Sequence, residues 1–199
     1  MPAASGPPGG PPDGLPGGPP SRPPGRRPPG GARGATGSWG WHRLADDWAE
    51  RIVAAAGVRP GELVLDIGAG HGALTGPLVR AGARVVAVEL HEGRAEALHR
   101  RFPQIRLIHA DATALRWPRQ PFRVVASPPY GITAALLGLL LAPGSRLMAA
   151  DLVLQRAVVR KYAERRFRGY RLTQGAALPR RAFRPPPRVD SAVLVIRRQ

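Results

Sequence analysis

Glu89, Asp111 and the tetrapeptide Ser127-Pro128-Pro129-Tyr130 each stand at or just after the end of a short apolar run. An earlier run leads directly into Asp66-Ile67-Gly68-Ala69-Gly70-His71-Gly72. Gly68 and Gly70 would let a ligand approach the backbone closely, with the N-terminus of a helix following. Glu89 lies 21 residues after Gly68, the interval at which an acid ending a second strand can accept hydrogen bonds from both hydroxyls of a ribose. Asp111 comes a further 22 residues on. Carboxylates at successive strand ends line the ligand crevice of an open α/β sheet. The plainer reading of the two acids is helix capping or a solvated loop.

The turn reads GxGxG, whereas the dinucleotide fingerprint is GxGxxG. Its sequence, GAGHG, better fits a site for S-adenosylmethionine. In Ser127-Pro128-Pro129-Tyr130, two prolines fix the backbone and hold the preceding carbonyl and side chain outward as acceptors. An exocyclic amine donates to acceptors, and a base stacks on a ring such as that of Tyr130.

These residues need strands ending at one edge of a sheet. Leu63–Ile67, Arg84–Val88, Ile105–His109, Phe122–Ala126 and Leu147–Leu154 read as strands, several of them apolar on both faces as buried parallel strands are. Leu74–Ala81, Glu92–Arg101 and Ile132–Leu141 read as helices between them, which argues a doubly wound α/β sheet. Asp46 and Asp47 open an earlier amphipathic helix that Gly57 closes. Arg171–Ala182 and Val189–Arg197 have no helix between them and predict a terminal antiparallel hairpin on the sheet edge.

Residues 1–40 hold 12 prolines and 12 glycines and no aromatic before Trp39, so residues 1–38 read as a disordered tail and 39–199 as one domain. The chain contains no cysteine, which excludes a disulfide framework, a thiolate metal site and a cysteine nucleophile. The sequence predicts no secretory signal and no membrane span, hence a soluble, cytoplasmic protein without a membrane partner. Thirty basic residues against 13 acidic ones give a net charge of +17, which suits a polyanionic partner. Thirteen of those basic residues fall within Gln155–Gln199, so the segment Arg156–Arg188, with Arg165, Arg166 and Arg168 prominent in it, is expected to grip that partner.

From Gly40 to Ile196 the chain resembles the ribosomal RNA adenine methyltransferases. These comprise the erythromycin-resistance enzymes of the large subunit, to which it looks closer, and the dimethyltransferases of the small subunit. DIGAGHGALT at Asp66–Thr75, Glu89-Leu90, Asp111, the SPPY site and Phe183-Arg184-Pro185-Pro186-Pro187-Arg188-Val189-Asp190-Ser191-Ala192-Val193 carry the likeness. The resemblance implies a Rossmann-like class I S-adenosylmethionine-dependent methyltransferase that methylates the N6 amine of an adenine in 23S rRNA and confers macrolide-type resistance. It implies a monomer that needs no metal. It assigns Ser127, Pro128, Pro129 and Tyr130 to catalysis. Gly68 and Gly70 would hold the cofactor's amino-acid portion, Glu89 its ribose and Asp111 its adenine amine, with Leu90 and Ala112 also in contact with the cofactor. His42, Leu44 and Ser127 are further cofactor contacts, His42 and Leu44 by alignment of Gly40-Trp41-His42-Arg43-Leu44 with the family's segment before the first helix. Ser127 stands where the family usually has Asn. The likeness of SPPY to cytosine-amine DNA methyltransferases keeps a cytosine or DNA substrate open, and Ser127 also keeps open a catalytically weak RNA-binding or ribosome-assembly protein. Relatives usually continue into a small helical C-terminal domain, which this sequence is expected to lack.

Overall fold

Residues 42–199 are described by a computed structural model of the chain. The expected tail at 1–38, and residues 39–41 of the expected domain, lie outside them. In chain order, strand β1 (Arg43–Leu44) and helix α1 (Asp46–Ala56) precede β2 (Leu63–Ile67), α2 (Thr75–Arg80), β3 (Arg84–Glu89), α3 (Glu92–Arg101) and β4 (Arg106–His109). There follow β5 (Phe122–Ala126), α4 (Thr133–Leu140), β6 (Leu147–Gln155), α5 (Arg156–Ala163), β7 (Tyr170–Leu178), β8 (Phe183–Arg184) and β9 (Ser191–Arg198).

The large sheet has the order β4-β3-β2-β5-β6-β9-β7. Strands β2 to β6 are mutually parallel, and β9 runs antiparallel to both β6 and β7. The expected terminal pair therefore exists, but its second strand inserts beside β6 and leaves β7 on the edge. The order reverses between β2 and β5, and an open α/β sheet binds ligands outside the carboxyl ends of its strands at such a switch point.

Side-chain alternation divides the core into two layers. Val64, Val85, Ala87, Val125 and Val153 pack with Ile52, Leu78 and Leu98 of α1, α2 and α3. Leu65, Ile67, Val124, Leu152 and Leu154 pack with Leu136, Leu137 and Leu140 of α4 and Val159 of α5. Each large side chain fully buried in this way contributes about 1.5–3 kcal/mol, and together these contacts hold the strand ends at a common edge. Asp46 and Asp47 sit in the first turn of α1, and Gly57 ends it in the left-handed region at φ 60°.

Helix α5 was not legible in the sequence, because only Val158, Val159 and Tyr162 of its eight residues lend it an apolar stripe. It divides the residues of the expected RNA grip between the two ends of the sheet. It carries the chain from the carboxyl end of β6 back to the start of β7, so Arg165, Arg166 and Arg168 lie at the end of the sheet opposite the crevice. Arg156, Arg180, Arg181 and Arg184 remain at the crevice end.

Gly72 locks the glycine turn onto α3. It has φ 84°, and a Cβ there would stand 2.5 Å from Phe102 Cε2 and 2.7 Å from Leu98 Cδ1. Left-handed strain and overpacking together predict that Gly72→Ala costs about 2–3 kcal/mol of stability. Urea unfolding should show a lower midpoint at an unchanged slope, and an unchanged midpoint would mean that Phe102 moves aside freely.

Candidate cofactor and catalytic site

Two adjoining cavities meet at Gly68. The larger, about 580 Å³, is lined by Gly68, Glu89, Leu90, Asp111, Ala112 and Pro129, together with Arg94 and Ile132. That volume lies in the range of small-molecule sites. The smaller is lined by His42, Leu44, Asp66, Gly68, Gly70 and Ser127. The fold thus brings together every residue assigned to cofactor binding from the sequence.

The turn after β2 is pinned to β3. The Gly68 and Ala69 N–H groups donate to the Val88 carbonyl at 2.8 and 3.1 Å, and the Gly70 N–H donates to Glu89 Oε2 at 2.8 Å. Glu89 Oε1 accepts from the His91 N–H at 2.8 Å and from Arg94 Nη2 at 2.9 Å. Burial alone would raise the Glu89 pKa, but donation from His91, Arg94 and Gly70 outweighs it and holds the carboxyl below its usual range. Glu89 is therefore a fixed anion. With one donor on Oε2 it keeps acceptor capacity for a hydroxyl, while Oε1 is already engaged by two residues.

Asp111 does two things at once. Its Oδ1 accepts from the Thr113 N–H and hydroxyl, each at 2.8 Å, capping a 3-10 turn at Ala112–Ala114. These bonds lower its pKa, and Oδ2 is uncommitted among the described residues. Leu90 is 53% exposed on the wall of the larger cavity, where it can cover an apolar ring face. His109 Nε2 lies 2.9 Å from the Leu90 carbonyl oxygen.

The tetrapeptide after β5 abuts the glycine turn. A Cβ on Gly68, at φ 70°, would lie 3.0 Å from Pro129 Cδ and 3.5 Å from Pro128 Cα. The buried Pro128 thus backs the turn, and Pro129 enters the larger cavity. The Ser127 hydroxyl has no hydrogen-bond partner among the described residues and borders the smaller cavity. Tyr130 lines neither cavity. Its hydroxyl lies 2.8 Å from Ser191 Oγ at the start of β9, and its ring centroid lies 6.2 Å from that of His42. His42 Nδ1 is 2.8 Å from the Pro185 carbonyl oxygen, and β1 pairs with β8. The segments at His42–Leu44, Ser127–Tyr130 and Phe183–Ser191, far apart in sequence, meet at the crevice.

Asp66 is a functional residue that the glycine motif alone does not single out, although a carboxylate inside a strand otherwise apolar on both faces is itself a signal. It is buried and accepts from the Thr75 hydroxyl at 2.7 Å. Burial, with the neighbouring Glu89 charge adding to it and the Thr75 bonds opposing, pushes its pKa from 3.8 up to about 7. Between those values the folded chain holds a proton that the unfolded chain releases, so stability falls as pH rises through that window. Relative to Asp66→Asn, the wild type should lose roughly 2 kcal/mol between pH 5.0 and 6.5. Denaturant titrations of both proteins at the two pH values measure this, and parallel pH dependence would show that Asp66 ionises normally.

A seven-stranded sheet of this order with one reversed strand, and a glycine turn and acids at its carboxyl ends, is a class I S-adenosylmethionine-dependent methyltransferase fold. Residues 44–199 match the family described as Ribosomal RNA adenine dimethylase, and the chain belongs to that family. It is 38% identical over 173 residues to the ribosomal RNA small subunit methyltransferase A of Thermosynechococcus vestitus, covering 74% of this chain and 63% of the relative. It is 38% identical over 167 residues to an rRNA methyltransferase of Streptomyces thermotolerans, covering 75% of this chain and 54% of the relative. The chain thus spans less than two thirds of the length of either relative. The crystal structure of the 23S rRNA methyltransferase ErmE superposes with a TM-score of 0.71 at 31% identity, covering 78% of this chain and 69% of that one.

Proposed function

We propose that this protein transfers a methyl group from S-adenosylmethionine to the exocyclic N6 amine of an adenine in ribosomal RNA, in the 23S molecule, and so confers macrolide-type resistance. The observation that carries the reading is the close approach of Pro129 to Gly68, where a Cβ would stand 3.0 Å from Pro129 Cδ, which sets a tetrapeptide with amine acceptors against the cofactor cavity. The similarity to ErmE favours the large subunit.

The residues present fit the cofactor. Glu89 offers a fixed anion to ribose hydroxyls, Asp111 Oδ2 an acceptor to the adenine amine, and Leu90 and Ile132 apolar walls to the ring. In the smaller cavity, Asp66 in its ionised form would complement the ammonium of the amino-acid portion. Bound there, S-adenosylmethionine supplies an electrophilic methyl group on a sulfonium.

The chain's own contribution is positioning and polarisation. An aromatic amine is a poor nucleophile because its lone pair is delocalised into the ring. Ser127 Oγ and the rigid backbone carbonyls beside it accept the amine's N–H groups and favour a tetrahedral nitrogen whose lone pair is free to attack. Tyr130 holds the unpaired base by stacking. The amine's proton leaves to solvent. All these groups come from one chain, so a monomer acting in the cytoplasm, where ribosomal RNA is found, suffices.

Incubation with methyl-labelled cofactor and deproteinised 23S rRNA, 16S rRNA or DNA, followed by nucleoside analysis, tests the proposal. Label in N6-methylated adenine of 23S rRNA is expected. Label in cytosine or DNA would overturn the substrate, label in 16S rRNA alone would overturn the subunit, and binding of cofactor and RNA without transfer would leave only a binding protein.

A further inference from the structure

Beside Tyr130 lies a cleft that shares no lining residue with the two cavities at Gly68. It measures about 520 Å³ and is lined by Arg156, Arg180 and Arg181 together with Asp190 and Ser191. Ser191 is also the residue whose hydroxyl lies 2.8 Å from that of Tyr130. The cleft therefore begins one hydrogen bond from the ring proposed to carry the base.

Its chemistry selects an anion. Three guanidinium groups face one carboxylate, and Asp190 is engaged by Arg180 Nε at 3.3 Å. The side chains of Arg156 and Arg181 form no ion pair among the described residues. The Asp190 carbonyl accepts from the Arg156 N–H at 2.9 Å, which fixes the start of α5 at the cleft wall, and the first turn of α5 contains no acid. Guanidinium groups grip phosphate with paired N–H donors, as a lysine ammonium cannot. The absence of an aromatic among the lining residues suits a backbone phosphate better than a base, which would seek a stacking surface.

We propose that this cleft is a phosphate subsite, in which Arg156, Arg180 and Arg181 hold a phosphodiester of the RNA strand flanking the target adenosine. The inference rests on the rRNA-methylation reading and adds to it a way of registering the strand, since a phosphate held beside Tyr130 fixes which nucleotide can reach the ring. Phosphate contacts position a strand without reading its sequence, so the subsite sets orientation while Tyr130 and Ser127 select the base.

The test compares two triple variants with the same loss of three charges: Arg156→Gln/Arg180→Gln/Arg181→Gln in the cleft, and Arg165→Gln/Arg166→Gln/Arg168→Gln at the opposite end of the sheet. Filter binding of deproteinised total rRNA across a salt series gives the slope of log affinity against log salt. Methyl transfer to the same RNA gives KM and kcat. The cleft variant gives up one single-strand phosphate and should lose about 0.7 from the slope, with a KM for RNA raised at least tenfold and with kcat and cofactor affinity preserved. The opposite-end variant should lose less slope and keep its KM. Equal or greater loss in the opposite-end variant would overturn the subsite. If the cleft variant fails to fold, Arg156→Gln and Arg181→Gln singly should each raise the KM for RNA and lower the slope by part of that roughly 0.7, and an unchanged KM and slope in both would overturn it equally. Wild-type binding with no methyl transfer to any rRNA would overturn the enzymatic reading instead, and the slopes would still decide the subsite.

Discussion

Glu89→Ala should weaken S-adenosylmethionine binding by about 100-fold, or ~2.7 kcal/mol, near the upper end of the roughly 1.5–3 kcal/mol of one charge-assisted hydrogen bond. The expectation rests on a carboxylate that is 3% exposed and is held ionised by the His91 N–H, Arg94 and the Gly70 N–H. It therefore enters the complex as an anion at no protonation cost. Removing it also releases Gly70 from β3, because the bond to Glu89 Oε2 is the one that fixes that N–H. Glu89→Gln retains a carbonyl acceptor and the packing, and should lose about tenfold, the scale of one charge-assisted bond weakened to a neutral one. Titration calorimetry reads both values, with thermal melts checking the fold. Affinity unchanged in Glu89→Ala would remove Glu89 from the cofactor site, and equal losses in the two variants would show that the charge alone matters.

The ends of the parallel strands were legible because each is marked twice, by an apolar run and by the residue that stops it. Phe122–Ala126 is a strand as expected, and the prolines at 128 and 129 cannot extend it. Gly68, Glu89, Asp111 and Ser127 came together for the same reason, since parallel strands share one carboxyl edge. What pairs across the sheet was less legible. The Tyr130–Ser191 bond joins residues 61 apart, and nothing local in either segment announces it. Arg94 follows Glu89 by five residues, yet its salt bridge forms because β3 ends at Glu89 and the first turn of α3 folds back over it.

The arginines of the C-terminal third show the cost of reading charge along the chain rather than in space. Arg165, Arg166 and Arg168 are the densest basic cluster in Gln155–Gln199, but one unrecognised helix turns them away from the crevice. Arg165 there lies 5.7 and 5.5 Å from the ring centroids of Tyr162 and Phe167, which stack on each other. The sparser set of Arg156, Arg180 and Arg181 converges because β6 ends and β7 ends at the same edge, on either side of β9. Density in sequence reports net charge and solubility, whereas the partner's site follows from the direction in which each strand runs.

Tyr130→Ala should lower kcat/KM for rRNA by about 100-fold, near the upper end of the roughly 1–3 kcal/mol that base–aromatic stacking supplies, while leaving the affinity for S-adenosylmethionine within twofold. The split follows from position: Tyr130 lines neither cofactor cavity, yet its neighbours Ser127 and Pro129 line one each, and its ring lies outside both, beside His42 and Ser191. Its hydroxyl is no proton acceptor. Burial raises its pKa above 10.0, with the Ser191 bond only partly opposing, so the phenol stays neutral at working pH and serves to hold the ring in place. Tyr130→Phe keeps the stacking face and loses only that tether, and should fall by less than tenfold, the order of one neutral hydrogen bond. Steady-state kinetics of the two variants on rRNA, with cofactor affinity measured separately, distinguish the roles. A phenylalanine variant as impaired as the alanine one would assign the function to the hydroxyl, and wild-type turnover in Tyr130→Ala would remove the ring from the reaction altogether.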